Sequence, residues 1–275
     1  MTRNELIFEI RKKQSFLCIG LDPDLKKIPN HLLKDPDPFF SFNKAIIKAT
    51  HSFCVAYKPN LAFFEALGLR GMESLYRTVD YLREYYPNIF VIADGKRGDI
   101  GNTAAKYADA YFNELNADAL TLSPYMGKDS IDPFLKQDGK WAVLLALTSN
   151  AGSADFQMLS LSNKGTEKEA KLFEEVIRVS SSWGNESNIM YVVGATQPEW
   201  IQKVRNLIPR HFLLVPGIGT QGGDLETVCR LGMNDEIGIL VNVSRNIIYA
   251  GSSSDFAEKA AAEAEKLQLE MSHFL

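Results

Sequence analysis

A chain of 275 residues and 30.7 kDa, 45% hydrophobic and 23% charged, has the composition of an ordinary globular protein and the length of one large domain. Thirty Lys and Arg against thirty-four Asp and Glu leave a net charge of −4, which excludes a generic nucleic-acid surface and means that any phosphorylated ligand needs a local site. Three cysteines, Cys18, Cys54 and Cys229, lack CxxC spacing and are odd in number, which argues against a disulfide framework or a thiolate zinc site and fits a reducing compartment.

The N-terminal segment carries Arg3, Glu5, Glu9, Arg11, Lys12 and Lys13, so it offers no uninterrupted apolar stretch for a signal peptide. No apolar run approaches the ~18 residues of a spanning helix. The expectation is a cytoplasmic chain with no membrane or nucleic-acid partner. Short runs rich in Val, Ile and Leu then recur at 16–21, 54–57, 89–93, 119–122, 142–147, 189–193, 212–215 and 237–243, which predicts eight strands. Longer segments with helical periodicity separate them. Met72, Leu75, Val79, Leu82 and Tyr86 make one apolar stripe and leave Arg77, Asp80, Arg83 and Glu84 largely to solvent. Phe256, Ala260, Ala264 and Leu267 repeat the pattern, with Ser254 and Asp255 as the expected cap and first-turn acid. The stretches 22–39 and 150–165 are longer than usual connections and are read as binding loops. With no linker or low-complexity tract, residues 1–275 are expected to form a single α/β domain, a (β/α)8 TIM barrel, since eight βα units fit a barrel of about 250 residues better than a doubly wound sheet.

In such a barrel the functional residues stand just after the strands. The exits are Asp22, Lys58, Asp94 with Lys96, Ser123, Ser149, Ala195, Gly217, and Ser244 with Arg245. Asp94 and Lys96, two residues apart, share a strand face and converge at the mouth, with Lys58 one strand away. Asp99 lies beyond the strand, before a helix that Asn102 or Thr103 would cap, so it need not point inward and is available to a neighbouring chain. Alternating lysines and aspartates suit chemistry on an anion. A carboxylate facing a substrate carboxylate raises the ground-state energy, and an adjacent ammonium stabilises and protonates a carbanion. The alternative is a surface salt-bridge ladder; Gly95, Gly98 and Gly101 at the end of a hydrophobic strand favour the functional reading.

After the seventh strand, Pro216-Gly217-Ile218-Gly219-Thr220-Gln221-Gly222-Gly223-Asp224 lets backbone amides approach an anion at a helix start, and Arg245 after the eighth adds a bidentate donor. The alternative is a turn and a solvated arginine. Gly217, Gly219 and Gly222 also satisfy GxGxxG, but the acids Asp235 and Glu236 precede the next strand, which excludes a dinucleotide site. His31, His51, His211 and His273 have no metal spacing. Cys18 and Cys54 read as buried small hydrophobes, and Tyr57, Phe63 and Phe64 as core.

Ile19-Gly20-Leu21-Asp22-Pro23, Tyr57-Lys58-Pro59-Asn60, Ala93-Asp94-Gly95-Lys96-Arg97-Gly98-Asp99-Ile100, Thr148-Ser149-Asn150 and 216–224 together resemble the orotidine 5'-phosphate decarboxylase family, in its longer bacterial, type 2 form, over about 16–249. The resemblance implies a carbon–carbon lyase converting orotidine 5'-phosphate to UMP and carbon dioxide in pyrimidine biosynthesis, with no cofactor or metal, in a homodimer. It implies Lys96 as proton donor to C6, Asp94 as the carboxylate set against the substrate's, and Lys58 as the group that orients Asp94 and touches the ribose. Asp99 and Thr103 would be given across the dimer interface. Asp22 would hold the ribose, Ser149 the pyrimidine edge, and Gln221, Arg245, Gly217 and Gly219 the phosphate. Two departures stand out: Ala151 where that form has proline, and Gly95 where alanine is common. Both leave the charged residues intact, but the first weakens any assignment of Gln157 to the pyrimidine. The rival readings are a sugar-phosphate decarboxylase or hexulose phosphate synthase of the same superfamily, using magnesium, and a barrel that only binds.

Overall fold

The computed structural model describes residues 1–161, 170–195, 198–218 and 223–275. Its strands are β1 (Leu17–Leu21), β2 (Ala56–Pro59), β3 (Phe90–Arg97), β4 (Ala119–Leu122), β5 (Trp141–Leu147), β6 (Ser160–Leu161), β7 (Ala170–Lys171), β8 (Ile189–Val193), β9 (Phe212–Pro216) and β10 (Ile239–Val243). All but β6 and β7 close a barrel in the order β1-β10-β9-β8-β5-β4-β3-β2, every neighbouring pair parallel, while β6 and β7 form a separate antiparallel pair. Each of the eight predicted runs overlaps one barrel strand. A parallel barrel strand is covered by side chains inside and helices outside, so it must be apolar on both faces. Accordingly β1, β4, β8 and β10 are buried at every position.

The helix Leu69–Tyr85 buries Leu75, Val79 and Leu82, as its stripe requires. Arg83 corrects the expectation of a solvated face. It donates to the carbonyls of Asn116 and Ile89 and to Asp118, and its side chain is only 18% exposed. The helix Phe256–Ser272 buries Phe256, Ala260 and Ala264, but neither Ser254 nor Asp255 caps it through a side chain; Asp255 pairs with Lys259 one turn on. The helix Gly101–Ala108 likewise begins before the expected caps, since Asn102 and Thr103 lie within its first turn and Ile100 holds the N-cap position. No helix among the described residues is long and apolar enough to cross a membrane.

One irregularity places the charged residues. Along β3 and β4, Ala93 pairs with Leu120 and Arg97 with Leu122, so the three residues 94–96 are accommodated opposite Thr121 alone. This bulge re-aims the strand at the barrel's mouth.

Candidate active site

Asp94, on β3, is 8% exposed and sits between two ammonium groups. Lys58 Nζ from β2 donates to its Oδ2 at 2.7 Å and Lys96 Nζ to its Oδ1 at 2.7 Å. The two lysines differ in setting: the Lys58 side chain is 8% exposed, that of Lys96 51%. Burial pushes the Asp94 carboxyl up, but the charges and hydrogen bonds of Lys58 and Lys96 outweigh it and hold the group well below the usual carboxylate range. Burial disfavours the charge on Lys58, yet Asp94 and then Asp22 reverse the effect and hold its pKa above the ordinary value. Both groups therefore stay ionised at neutral pH. The sequence expectation that Asp94 and Lys96 converge is met, but for a different reason from simple strand alternation. Lys96 sits in the bulge with φ +47°, a left-handed conformation that costs a residue with a Cβ about 1–2 kcal/mol.

Thr121 was missed from the sequence. Its hydroxyl, 2.9 Å from Asp94 Oδ1, also accepts the Lys96 backbone N–H at 2.9 Å, and the residue is 1% exposed. A threonine inside the apolar run Ala119–Leu122 was the available signal, because a polar group on a strand buried on both faces must have a partner. A Cβ at Gly95 would lie 2.6 Å from Leu61 Cδ1, so a larger residue there would require the Leu61 side chain to shift. Leu61 thus fills the space that a larger residue would take.

Across the mouth, Ser244 Oγ donates to Asp22 Oδ2 at 2.6 Å, and Tyr249 OH donates to the Asp22 carbonyl at 2.7 Å. Asp22 Oδ1 is buried with no hydrogen-bond partner among the described residues. Gly20 permits the close approach, since a Cβ there would lie 2.7 Å from Ser244 Cβ. Arg245 opens the helix Arg245–Ile248, is exposed, and has no ion pair among the described residues. Gly217, after β9, has φ +104° and accepts the Gly223 N–H at 3.1 Å. Gly219 and Gln221 lie outside the described residues.

Ser149 follows β5 and is packed on Gly194 at the exit of β8, where a Cβ would stand 2.9 Å from Ser149 Cα. The preceding residue is fixed by Gln157, whose Oε1 accepts the Thr148 N–H at 2.8 Å and whose Nε2 donates to Thr148 Oγ1 at 3.0 Å. Gln157 is therefore engaged with the Ser149 turn itself.

Asp99 and Thr103 are not brought into the cluster. Among the described residues Asp99 accepts only the Ile100 N–H, at 2.8 Å, and no ion pair joins it to Lys58 or Lys96. Thr103 is exposed beside Ile100, which is 50% exposed. Within one chain the expected four-membered network thus has three members. Cys18, Cys54 and Cys229 are unbridged and buried, and Tyr57 and Phe64 are buried too, while Phe63 is only half-buried and belongs to a surface hollow rather than the core. His211 is buried, with no partner on either ring nitrogen among the described residues.

A closed parallel barrel with a lysine-flanked, buried aspartate at the exits of its second and third strands, and an exposed arginine after its last, defines a (β/α)8-barrel enzyme. The family model described as Orotidine 5'-phosphate decarboxylase / HUMPS family matches residues 15–260, and the chain belongs to that family. Among its relatives, an orotidine 5'-phosphate decarboxylase of Phocaeicola vulgatus is 55% identical over 98% of this chain and 98% of its own length. One of Flavobacterium johnsoniae is 56% identical over 100% of this chain and 98% of its own. The solved structure of Leishmania donovani OMP decarboxylase superposes with TM-score 0.80 at 36% identity, covering 98% of this chain and 100% of that one. That of Leishmania donovani UMP synthase superposes with TM-score 0.80 at 38% identity over 96% of this chain, which spans 56% of that longer protein.

Proposed function

We propose that residues 1–275 act as one barrel that converts orotidine 5'-phosphate to UMP and carbon dioxide, without a cofactor, through Lys58, Asp94 and Lys96, completed by Asp99 of a second copy. The family also includes sugar-phosphate enzymes. Full-length identity of 55–56% to proteins named as the decarboxylase supports the nucleotide reading.

The observation that carries the mechanism is the buried, ionised Asp94 with the half-exposed Lys96 ammonium 2.7 Å away. A substrate carboxylate brought against Asp94 is repelled by a charge that cannot be quenched, because Lys58 and Lys96 keep Asp94 ionised. Breaking the C6–carboxylate bond releases neutral carbon dioxide and removes that repulsion. The electron pair left on C6 is stabilised by the Lys96 ammonium, which then gives its proton to C6. Lys58, more deeply buried, keeps its charge and holds Asp94 in place. The three groups of one chain sum to +1, which attracts an anionic substrate; Asp99 from a partner would bring the cluster to neutrality and leave each site composite.

Asp22, with Oδ1 unpartnered among the described residues and Oδ2 fixed by Ser244, suits a ribose hydroxyl, with Thr103 of the second copy on the same sugar. Ser149 suits the pyrimidine edge. Arg245, Gln221, Gly217 and Gly219 suit the phosphate, whose binding energy would be spent on closing the mouth around the reacting carbon.

The test is Lys96→Ala. Turnover is expected to vanish while UMP binding survives; retained turnover would overturn the mechanism. Mixing inactive Lys96→Ala and Asp99→Ala proteins should restore activity through hybrid dimers, and mixtures that stay inactive would contradict the composite site.

A further inference from the structure

We infer that Thr121 is a positioning residue of the site, fixing both the Asp94 carboxylate and the backbone from which Lys96 projects; this rests on the reading of Lys96 as proton donor. The hydroxyl has one proton, and an ionised carboxylate can only accept. Its proton must therefore point to Asp94 Oδ1, 2.9 Å away, and its lone pair receives the Lys96 N–H at 2.9 Å. The direction of both hydrogen bonds is fixed by chemistry.

Two further facts make this contact more than filling. The β3 bulge sets residues 94–96 against Thr121 alone, so no other β4 backbone pairs with them. Lys96 holds φ +47°, which residues with a Cβ rarely adopt, and its amide is anchored by that hydroxyl. Asp94 Oδ1 also receives Lys96 Nζ, so one oxygen joins the lysine's head to the hydroxyl that holds its backbone. The residue is 1% exposed, and water cannot readily replace the lost group. Loss of the hydroxyl should therefore let Lys96 leave the position from which it protonates C6, with little effect on ribose or phosphate contacts, which lie across the mouth.

The experiment compares Thr121→Val, Thr121→Ser and Thr121→Ala with wild type in steady-state turnover of orotidine 5'-phosphate and in UMP binding. Active sites are counted by UMP titration, so that unfolded protein does not count. The expected result is a kcat 10- to 100-fold lower for Thr121→Val, with KM and UMP affinity within threefold of wild type, and kcat recovered to within a few fold in Thr121→Ser. Thr121→Ser and Thr121→Ala both lack the γ-methyl and differ in the hydroxyl, so their kcat ratio, expected to be at least tenfold, decides the matter even if Thr121→Val does not fold. Equal kcat for Ser and Ala, or a KM that rises as much as kcat falls, would overturn the positioning role. A wild-type protein that does not turn over the nucleotide would overturn the functional reading and this role with it.

Discussion

Lys58 and Lys96 bind the same carboxylate at the same 2.7 Å distance, yet their removal should have different consequences for stability. The Lys58–Asp94 pair is 8% and 8% exposed, so Lys58→Met removes the buried partner of Asp94 Oδ2 and leaves the carboxylate to the half-exposed Lys96, at a cost of about 3–5 kcal/mol. The Lys96 head is half in water, with a side chain 51% exposed, and solvent takes over much of its role; Lys96→Met should cost about 1 kcal/mol or less. Both variants should lose turnover. Urea unfolding followed by circular dichroism at pH 7 measures the gap, expected to be at least about 2 kcal/mol. The gap should also depend on pH. In the wild type, Asp94's depressed pKa contributes stability that is present above the ordinary carboxylate pKa of about 4 and lost as pH falls toward the folded value. In Lys58→Met the carboxyl, still buried, titrates higher, and protonation relieves the part of its charge that Lys96 does not balance. The two variants should therefore converge on acidification. Equal destabilisation at pH 7, or a gap unchanged down to pH 4, would refute the argument that burial decides which lysine carries the stability.

Arg245→Ala should lower kcat/KM by roughly 10- to 150-fold, the worth of a charged hydrogen bond, although Arg245 touches no reacting atom; an unchanged kcat/KM would remove it from the phosphate grip. Asp94 stays ionised far below neutrality, so any acid limb of kcat/KM near pH 6 should follow the second ionisation of the substrate phosphate, about 6, and should be absent with orotidine itself as substrate. A limb kept by orotidine would point to a protein group. Burial lowers the His211 pKa from 6.5 to about 4, with Glu186 opposing and Arg205 reinforcing the shift. Because the unfolded chain binds that proton more readily, stability should fall as pH drops from 6.5 to 4, by up to about 3 kcal/mol. Urea midpoints of His211→Phe should lack that slope, and a wild-type slope retained in the variant would assign it elsewhere.

The barrel was legible because a strand buried on both faces has to be written as an apolar run, and all eight runs were. The positions of Lys58 and Asp94 followed from that reading, since charge at the end of such a run belongs to the mouth. The bulge was not legible: nothing in Asp94-Gly95-Lys96 distinguishes a straight exit from one that sets three residues against Thr121. Thr121 was not legible from the strand exits, because it stands within β4 rather than after it. The helix caps failed for a local reason. Asn102, Thr103 and Ser254 have capping side chains, but the backbone turns at Ile100 and Asp255, and Asp255 finds an ammonium one turn on instead of an amide. Arg83, placed by periodicity on the outer face, folds back on the carbonyls of Asn116 and Ile89 because a long side chain at a helix end can reach them.

The most direct measurement is the loss of orotidine 5'-phosphate absorbance on adding the purified protein in excess EDTA with no added cofactor, with UMP identified as the product. Rapid conversion, abolished by Lys96→Ala, is the predicted result. A folded protein that leaves the nucleotide untouched, or one whose activity EDTA removes, would contradict metal-free decarboxylation by the site built on Lys58, Asp94 and Lys96.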